Sequence, residues 1–336
     1  MVPLAAPSIV IVGTGADYRM RSATPKALHQ ICGRSLLDYV VEAAHALGPR
    51  RLTVVVGPSD DETEKELADG IEVTRVPANV AYDDCAAVLA ALMAWSDDDL
   101  ALDLDFDDDD VLIVPASVPL LQGHTLRSLY RAHRSNGASA TELVAPAAKD
   151  TTEDRTDGAI WFVRRSLLAP ALRRAETPSV SAIGEVLRDI GHDVATVEAE
   201  DPAECRVVFD RTHLAEVEAA MRSRINDRWM RRGVTMRDPN HTFIDWSADL
   251  AADVVLASGV VLRGTTSIGQ GTEVGPGCQL VDSRVGAQCR LDSTSAALAT
   301  IGDDARVGPF AVLEPGSEIP SATVTGPFYT AGPDAR

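Results

Sequence analysis

The chain carries two hydrophobic rhythms in succession. In the first, short unbroken apolar runs alternate with amphipathic stretches. Ile9–Val12 is such a run, closed by Gly13, and reads as a buried strand. Leu52–Val56, ended by Gly57-Pro58, reads the same way, as do Ile71–Val76, Val111–Val114, Ala140–Pro146 and Asp193–Ala199. Helices are predicted from about Ser35, then over Glu62–Asp69, Ala86–Trp95, Thr125–His133 and Ser179–Asp189. Strands alternating with helices predict an α/β domain with a mostly parallel, Rossmann-like sheet and helices on both faces. From Asp210 to about Arg232, Leu214, Val217, Met221 and Ile225 recur at helical steps, and Arg222, Arg224, Arg228, Arg231 and Arg232 line the other faces. That stretch reads as a linker helix with solvated arginines, with an anion-binding helix as the alternative.

Past Pro239 the period changes to six: Ile244, Leu250, Leu256, Leu262, Ile268, Val274 and Leu280. Val285 breaks the count by one, Leu291 resumes it, and Ile301, Val307, Leu313 and Ile319 form a second run. Glycine follows several of these aliphatics, at Gly269, Gly275, Gly286, Gly302 and Gly308. This is the hexapeptide repeat of a parallel β-helix, in which each aliphatic points into the prism and each small residue turns a corner. At three hexads per coil, about four coils are expected. The expected organisation is an α/β domain over 1–209, a linker helix and junction over 210–239, a β-helix over 240–322 and a tail over 323–336.

Composition narrows the partners. Fifty acidic residues against 31 basic ones give a net charge of −19, which repels DNA, RNA and anionic membrane. Aromatics make up only 4%, too few for a base-stacking platform. The five cysteines include no CxxC pair and read as free thiols of a reducing cytoplasm. The apolar start lacks a basic leader and no run approaches a membrane span, so a cytoplasmic location is expected. Ser96–Asp110 holds nine aspartates without the spacing of a calcium loop, and a solvated acidic loop is predicted.

The candidate chemistry lies after the first strand. Gly13 and Gly15 bound a turn, and Arg19 and Lys26 follow where a phosphate chain would lie. The longer string, Arg19-Met20, Ser22, Pro25-Lys26, Leu28, His29 and Gly33-Arg34, resembles the start of the sugar-nucleotide pyrophosphorylases. Gly233-Val-Thr-Met-Arg-Asp-Pro239 resembles the same family's junction between domains, G-V-x-x-x-D-P. From Ile9 to about Gly316 the chain is similar to the bifunctional N-acetylglucosamine-1-phosphate uridyltransferase/glucosamine-1-phosphate acetyltransferase (GlmU-like) family.

That resemblance implies a nucleotidyltransferase domain, a left-handed β-helix and assembly as a homotrimer, or as a mixed oligomer with a full-length homologue. It implies a nucleotide or sugar-phosphate ligand. Arg19 and Lys26 would be the catalytic cations, and Gly13, Gly15 and Gly158 would lie against the substrate. Mg²⁺ is implied only for an active centre, with Asp210 as its one acidic ligand. The departures from the family's pattern are coordinated. Asp17-Tyr18 replace a glycine and a threonine of the first loop, and Asp83-Asp84 replace the Gly-Thr pair that holds base and phosphates. Ser117 stands where the family's metal-binding aspartate belongs, in Ala116-Ser117-Val118-Pro119-Leu120, and Phe209-Asp210 replace a paired asparagine. In Gly308-Pro-Phe-Ala-Val312-Leu-Glu314-Pro-Gly316, Val312 and Glu314 replace two arginines, and acetyltransferase activity is expected to be absent. Three readings follow: a catalytically impaired homologue acting as a regulatory or scaffold subunit, a working nucleotidyltransferase, and a nucleotide or sugar-phosphate sensor.

Overall fold

The computed structural model describes residues 6–14, 17–58, 60–67, 71–76, 83–102, 109–146, 160–177 and 179–332. Internal contacts divide the chain into two units, Met1–His29 with Ser35–Val217, and Gln30–Arg34 with Glu218–Arg336.

The first unit is built on a seven-stranded sheet. In chain order its elements are β1 (Ser8–Val12), α1 (Leu36–His45), β2 (Arg51–Val56), α2 (Asp61–Glu66), β3 (Glu72–Arg75), α3 (Asp84–Leu102), β4 (Asp110–Pro115), α4 (Gly123–Asn136), β5 (Ala140–Val144), β6 (Ile160–Arg164), α5 (Arg165–Arg174), α6 (Ile183–Asp189) and β7 (Val194–Glu198). The strands lie in the order β3-β2-β1-β4-β6-β5-β7, all parallel except β6, which runs antiparallel to both neighbours. Strand β1 shows why both faces are covered. Ile9 and Ile11 pack with Leu37, Val40, Leu126 and Leu129 of α1 and α4. Val10 and Val12 pack with Val88, Ala91 and Trp95 of α3 and with Leu168 and Ile183 across the same layer. An unbroken apolar run is what a strand buried on both faces requires. Helix α1 begins at a capping box: Ser35 Oγ accepts from the Asp38 N–H at 3.0 Å, and the Ser35 N–H donates back to Asp38 Oδ2 at 3.4 Å.

Three sequence expectations change here. Strand β6 and helix α5 were not predicted. The acidic stretch Ser96–Asp110 is not a loop throughout, because α3 runs on to Leu102. Once a helix is nucleated, each added residue contributes a hydrogen bond, and Ser or Asp costs only about 0.7 kcal/mol or less against Ala. At the other end, Asp109 Oδ2 accepts from Ser8 Oγ at 3.0 Å, and Asp110 opens β4 in a buried network with His133 and Arg134.

In the second unit, parallel ladders of five, six and five strands form the three faces of a left-handed β-helix. The first face runs from Thr235–Met236 to Arg306–Val307, the second from Phe243–Ile244 to Thr330–Ala331 and the third from Asp249–Leu250 to Glu318–Ile319. Every aliphatic of the six-residue period from Ile244 to Ile319 is buried, at 5% exposure or less. Buried Ala296 fills the place the period left empty between Leu291 and Ile301. The ladder starts at Thr235, ahead of Pro239, and continues through Ala331, so residues read as tail add another rung. Gly269 shows what a corner demands: a Cβ there would lie 2.5 Å from the backbone of the next coil. Helix α7 (Arg211–Arg231) leads in, and Asn226, buried within this unit, donates to the carbonyls of Pro239 at 2.7 Å and Thr242 at 3.0 Å. All five cysteines are buried, and none is in a disulfide. No helix among the described residues is long and apolar enough to cross a membrane.

Candidate functional site

In an open α/β sheet, ligands bind beyond the carboxyl ends of the strands where strand order reverses. Here the chain leaves β1 for β2 on one side and returns with β4 on the other, so that point lies at the ends of β1 and β4. Three segments meet there. The first is the turn after β1. The Gly13 N–H donates to the Val55 carbonyl at 2.8 Å, and a Cβ on Gly13 would stand 2.9 Å from that oxygen. The next residue, buried Thr14, donates its hydroxyl to Asp84 Oδ1 at 3.4 Å.

The second segment is the start of α3. Asp83 Oδ1 accepts from the Ala86 N–H at 2.9 Å and so satisfies one of the helix's free donors. Helix N-termini favour anions, and this one is already occupied by the chain's own carboxylates. The Asp84 carboxyl is pushed up to about 6, chiefly by burial, and Asp83 adds to the rise. Lys26 and the Thr14 hydroxyl oppose it. Lys26, half-buried, is thus close enough to Asp84 to act on its charge.

The third segment joins the end of β4 to the start of α7. Ser117 is 4% exposed, and its carbonyl accepts from the Val208 N–H at 2.9 Å. Arg19 is exposed and lies over the Phe209 ring, 5.7 Å from its centroid. Asp210 Oδ1 accepts from the N–H groups of Thr212 at 2.9 Å and His213 at 3.1 Å, and lies 2.7 Å from His213 Nδ1. These bonds, the His213 N–H first, hold its carboxyl below the usual range.

A hard divalent cation needs several oxygen ligands, carboxylates foremost. The residues at hand do not fit one. Ser117 offers a neutral hydroxyl, and Asp210 is engaged in capping α7. Among the described residues no group of three or more His, Cys, Asp or Glu is placed to hold a metal. Of the sequence-predicted site residues, the structure brings Gly13 and Lys26 to this end of the sheet and sets Arg19 against Phe209. Gly15 and Gly158 lie outside the described residues. Thr14 was missed. Its one signal was position, directly after the strand-closing Gly13.

A mostly parallel α/β sheet with a glycine turn and cations at its switch point is the architecture of a nucleotide-binding α/β domain. The chain belongs to the MobA-like NTP transferase domain family, whose model matches residues 9–237. Among curated proteins it is 34% identical to the bifunctional protein GlmU of Streptomyces avermitilis, over 96% of this chain and 72% of that protein. It is 32% identical to the GlmU of Streptomyces coelicolor, over 96% and 73%. Among solved structures, a nucleotidyl transferase from Methanothermobacter thermautotroptrophicus matches 67% of this chain and 98% of its own, with a TM-score of 0.51 at 19% identity. That last likeness is one of fold.

Proposed function

We propose that this chain is a nucleotidyltransferase homologue that has lost turnover and serves as a regulatory or scaffold subunit in amino-sugar and cell-envelope precursor synthesis. The observation that carries the proposal is Asp84, which accepts from the Thr14 hydroxyl and feels the charge of Lys26, in the turn that the resemblance assigns to base and phosphates. A triphosphate approaching Lys26 meets a carboxylate first. Two unit charges ~4 Å apart at an effective dielectric near 20 interact by about 4 kcal/mol, so the repulsion is comparable to the attraction of one cation. Uridyl transfer depends on positioning and on neutralising charge as it develops at the phosphates. Here one cation faces an internal anion, the other lies over an aromatic ring, and the donor set is unsuited to Mg²⁺.

Isothermal titration of the purified chain with UTP and Mg²⁺ tests the cleft, and no saturable heat is expected. Saturable binding accompanied by pyrophosphate release from UTP and N-acetylglucosamine 1-phosphate overturns the reading. The regulatory half is tested by adding the chain to an active family member, where a changed uridyl-transfer rate is expected. A working nucleotidyltransferase is the second reading, favoured by the retention of Arg19 and Lys26. On that reading Lys26→Ala abolishes whatever transfer is found.

A further inference from the structure

We propose that the groove between the end of α5 and the outer stripe of α6 is where this chain takes hold of a partner protein, through an arginine side chain that the partner presents. The groove encloses about 360 Å³, at the lower end of the ~300–1,000 Å³ of binding pockets, which is room for one long side chain. Its floor is aliphatic. Ala182, Val186 and Ile190, at i, i+4 and i+8, form one stripe along α6 and the residues flanking it. Ile190 is 37% exposed, a large aliphatic left open to solvent. The rim is acidic. Glu185 and Asp189 stand beside the stripe, Glu176 comes from the segment after α5, and Arg174 is the last residue of α5.

The charges on this groove are ones the fold itself does not use. Arg174, Glu176, Glu185 and Asp189 are exposed, and none of their side chains makes an ion pair or hydrogen bond among the described residues. Glu185 and Asp189 are a like-charged pair at i, i+4, which works against a helix. Asp189 also closes α6, the end at which the helix dipole disfavours an anion. Arg188, the helix's own cation, is not in the lining. Three carboxylates against one guanidinium leave the groove two negative charges, and a cation seated in it relieves both faults at once. Local choices that lower stability with no compensating contact inside the fold are characteristic of functional sites.

The fit is to arginine rather than to a bare ammonium. Arginine carries its charge on a methylene stem, and the stem can lie on the aliphatic floor while the head stays at the rim. Its planar guanidinium offers five N–H donors and grips a carboxylate by two parallel bonds, where an ammonium is a point charge. The wall is firm: Thr177 lines the groove, and its carbonyl accepts from the Cys85 thiol, in the first turn of α3, at 3.8 Å. A partner with a basic face is drawn in from a distance by a chain of net charge −19, and the groove then selects the side chain that anchors it. None of the lining residues belongs to the cleft at the switch point, so the proposal holds whether or not turnover is lost.

The test is fluorescence anisotropy on the full chain with a labelled heptapeptide that carries one arginine between two leucines, the leucines matched to the open Ile190. Saturable binding is expected. With glutamine in place of the arginine it is lost, and with lysine it is several-fold weaker. Glu185→Gln/Asp189→Asn weakens binding at least about tenfold, whereas Glu62→Gln/Glu66→Gln, which removes the same charge from α2, changes it by less than about twofold. The groove variant also melts at or above the parent, because it loses a like-charged pair. No saturable binding, equal loss in the two variants, equal binding of the glutamine or lysine peptide, or full displacement of the peptide by spermidine at equal concentration overturns the proposal. So does a groove variant that melts below the parent, since the two acids would then serve their own helix.

Discussion

The hydroxyl of Thr14 reaches the carboxylate of Asp84 at 3.4 Å, across 70 residues of sequence. The contact joins the turn after the first strand to the first turn of α3, the two pieces of backbone that the proposed reading assigns to a phosphate. On that reading a negative group that belongs to the protein already holds both.

Removing that group should reopen the site. In the variant Asp83→Gly/Asp84→Thr, both carboxylates leave while Lys26 and the free N–H groups of α3 remain. Glycine is a tolerable helix cap, so the loss of the Asp83 bond to Ala86 costs only a few tenths of a kcal/mol. Titration with UTP should then give at least a tenfold gain in affinity, about 1.4 kcal/mol, without transfer activity. An unchanged titration would remove Asp84 as the cause of exclusion.

Asp84 also leaves a signature in stability. Its folded carboxyl titrates near 6, mainly through burial, against about 4 for an unperturbed aspartate. The shift is upward, so between those values the folded chain holds more protons than the unfolded one. Stability then falls as pH rises from about 4 to about 6 and is level above. Asp84→Asn keeps an oxygen for Thr14 and removes the charge. The variant should melt above the parent at pH 7, and the gap should close by about pH 4. A constant gap from pH 4 to 7 would mean that burial of the Asp84 charge is not its origin.

The sequence was most legible where packing is periodic. Six-residue spacing placed the aliphatics from Ile244 to Ile319 inside the prism because the coil geometry repeats whatever the outward residues are. Ala296 escaped because a methyl in an otherwise aliphatic column carries no hydrophobic contrast. The cleft was legible position by position and not as an arrangement. Asp83, Asp84, Ser117 and Phe209 were each identified as departures. That Asp84 pairs with Thr14, or that Phe209 lies under Arg19, depends on contacts between segments far apart in the chain. The acidic stretch was misread at its two ends for the same reason, while residues 103–108 lie outside the described residues. Its charge pattern is that of solvated loop, while the partners of its last two residues are Ser8, His133, Arg134 and Arg165.

That buried network makes the opposite pH prediction. His133 Nδ1 lies 2.8 Å from Thr141 Oγ1, His133 Nε2 lies 3.2 Å from Asp110 Oδ1, and Arg134 donates to Asp110 Oδ2 at 3.0 Å. The bonds tie the end of α4 to the start of β4 and to β5, with the His133 and Asp110 side chains 2% and 3% exposed. Burial alone would raise the Asp110 carboxyl; the hydrogen bond and charge of His133, then those of Arg134, override it and hold the group below its ordinary value. A depressed acid stabilises the fold above its unfolded pKa, near 4, and that stability is lost as pH falls through the lower folded value. Asp110→Asn leaves the Arg134 charge without its buried partner, and breaking a buried pair on one side costs about 3 kcal/mol. Urea titrations at pH 7 should therefore show the variant less stable by about that amount. Titrations below pH 4 should bring the two proteins together, as the parent's carboxyl is protonated. Equal stability at pH 7 would show that the Asp110 charge is not what the network depends on.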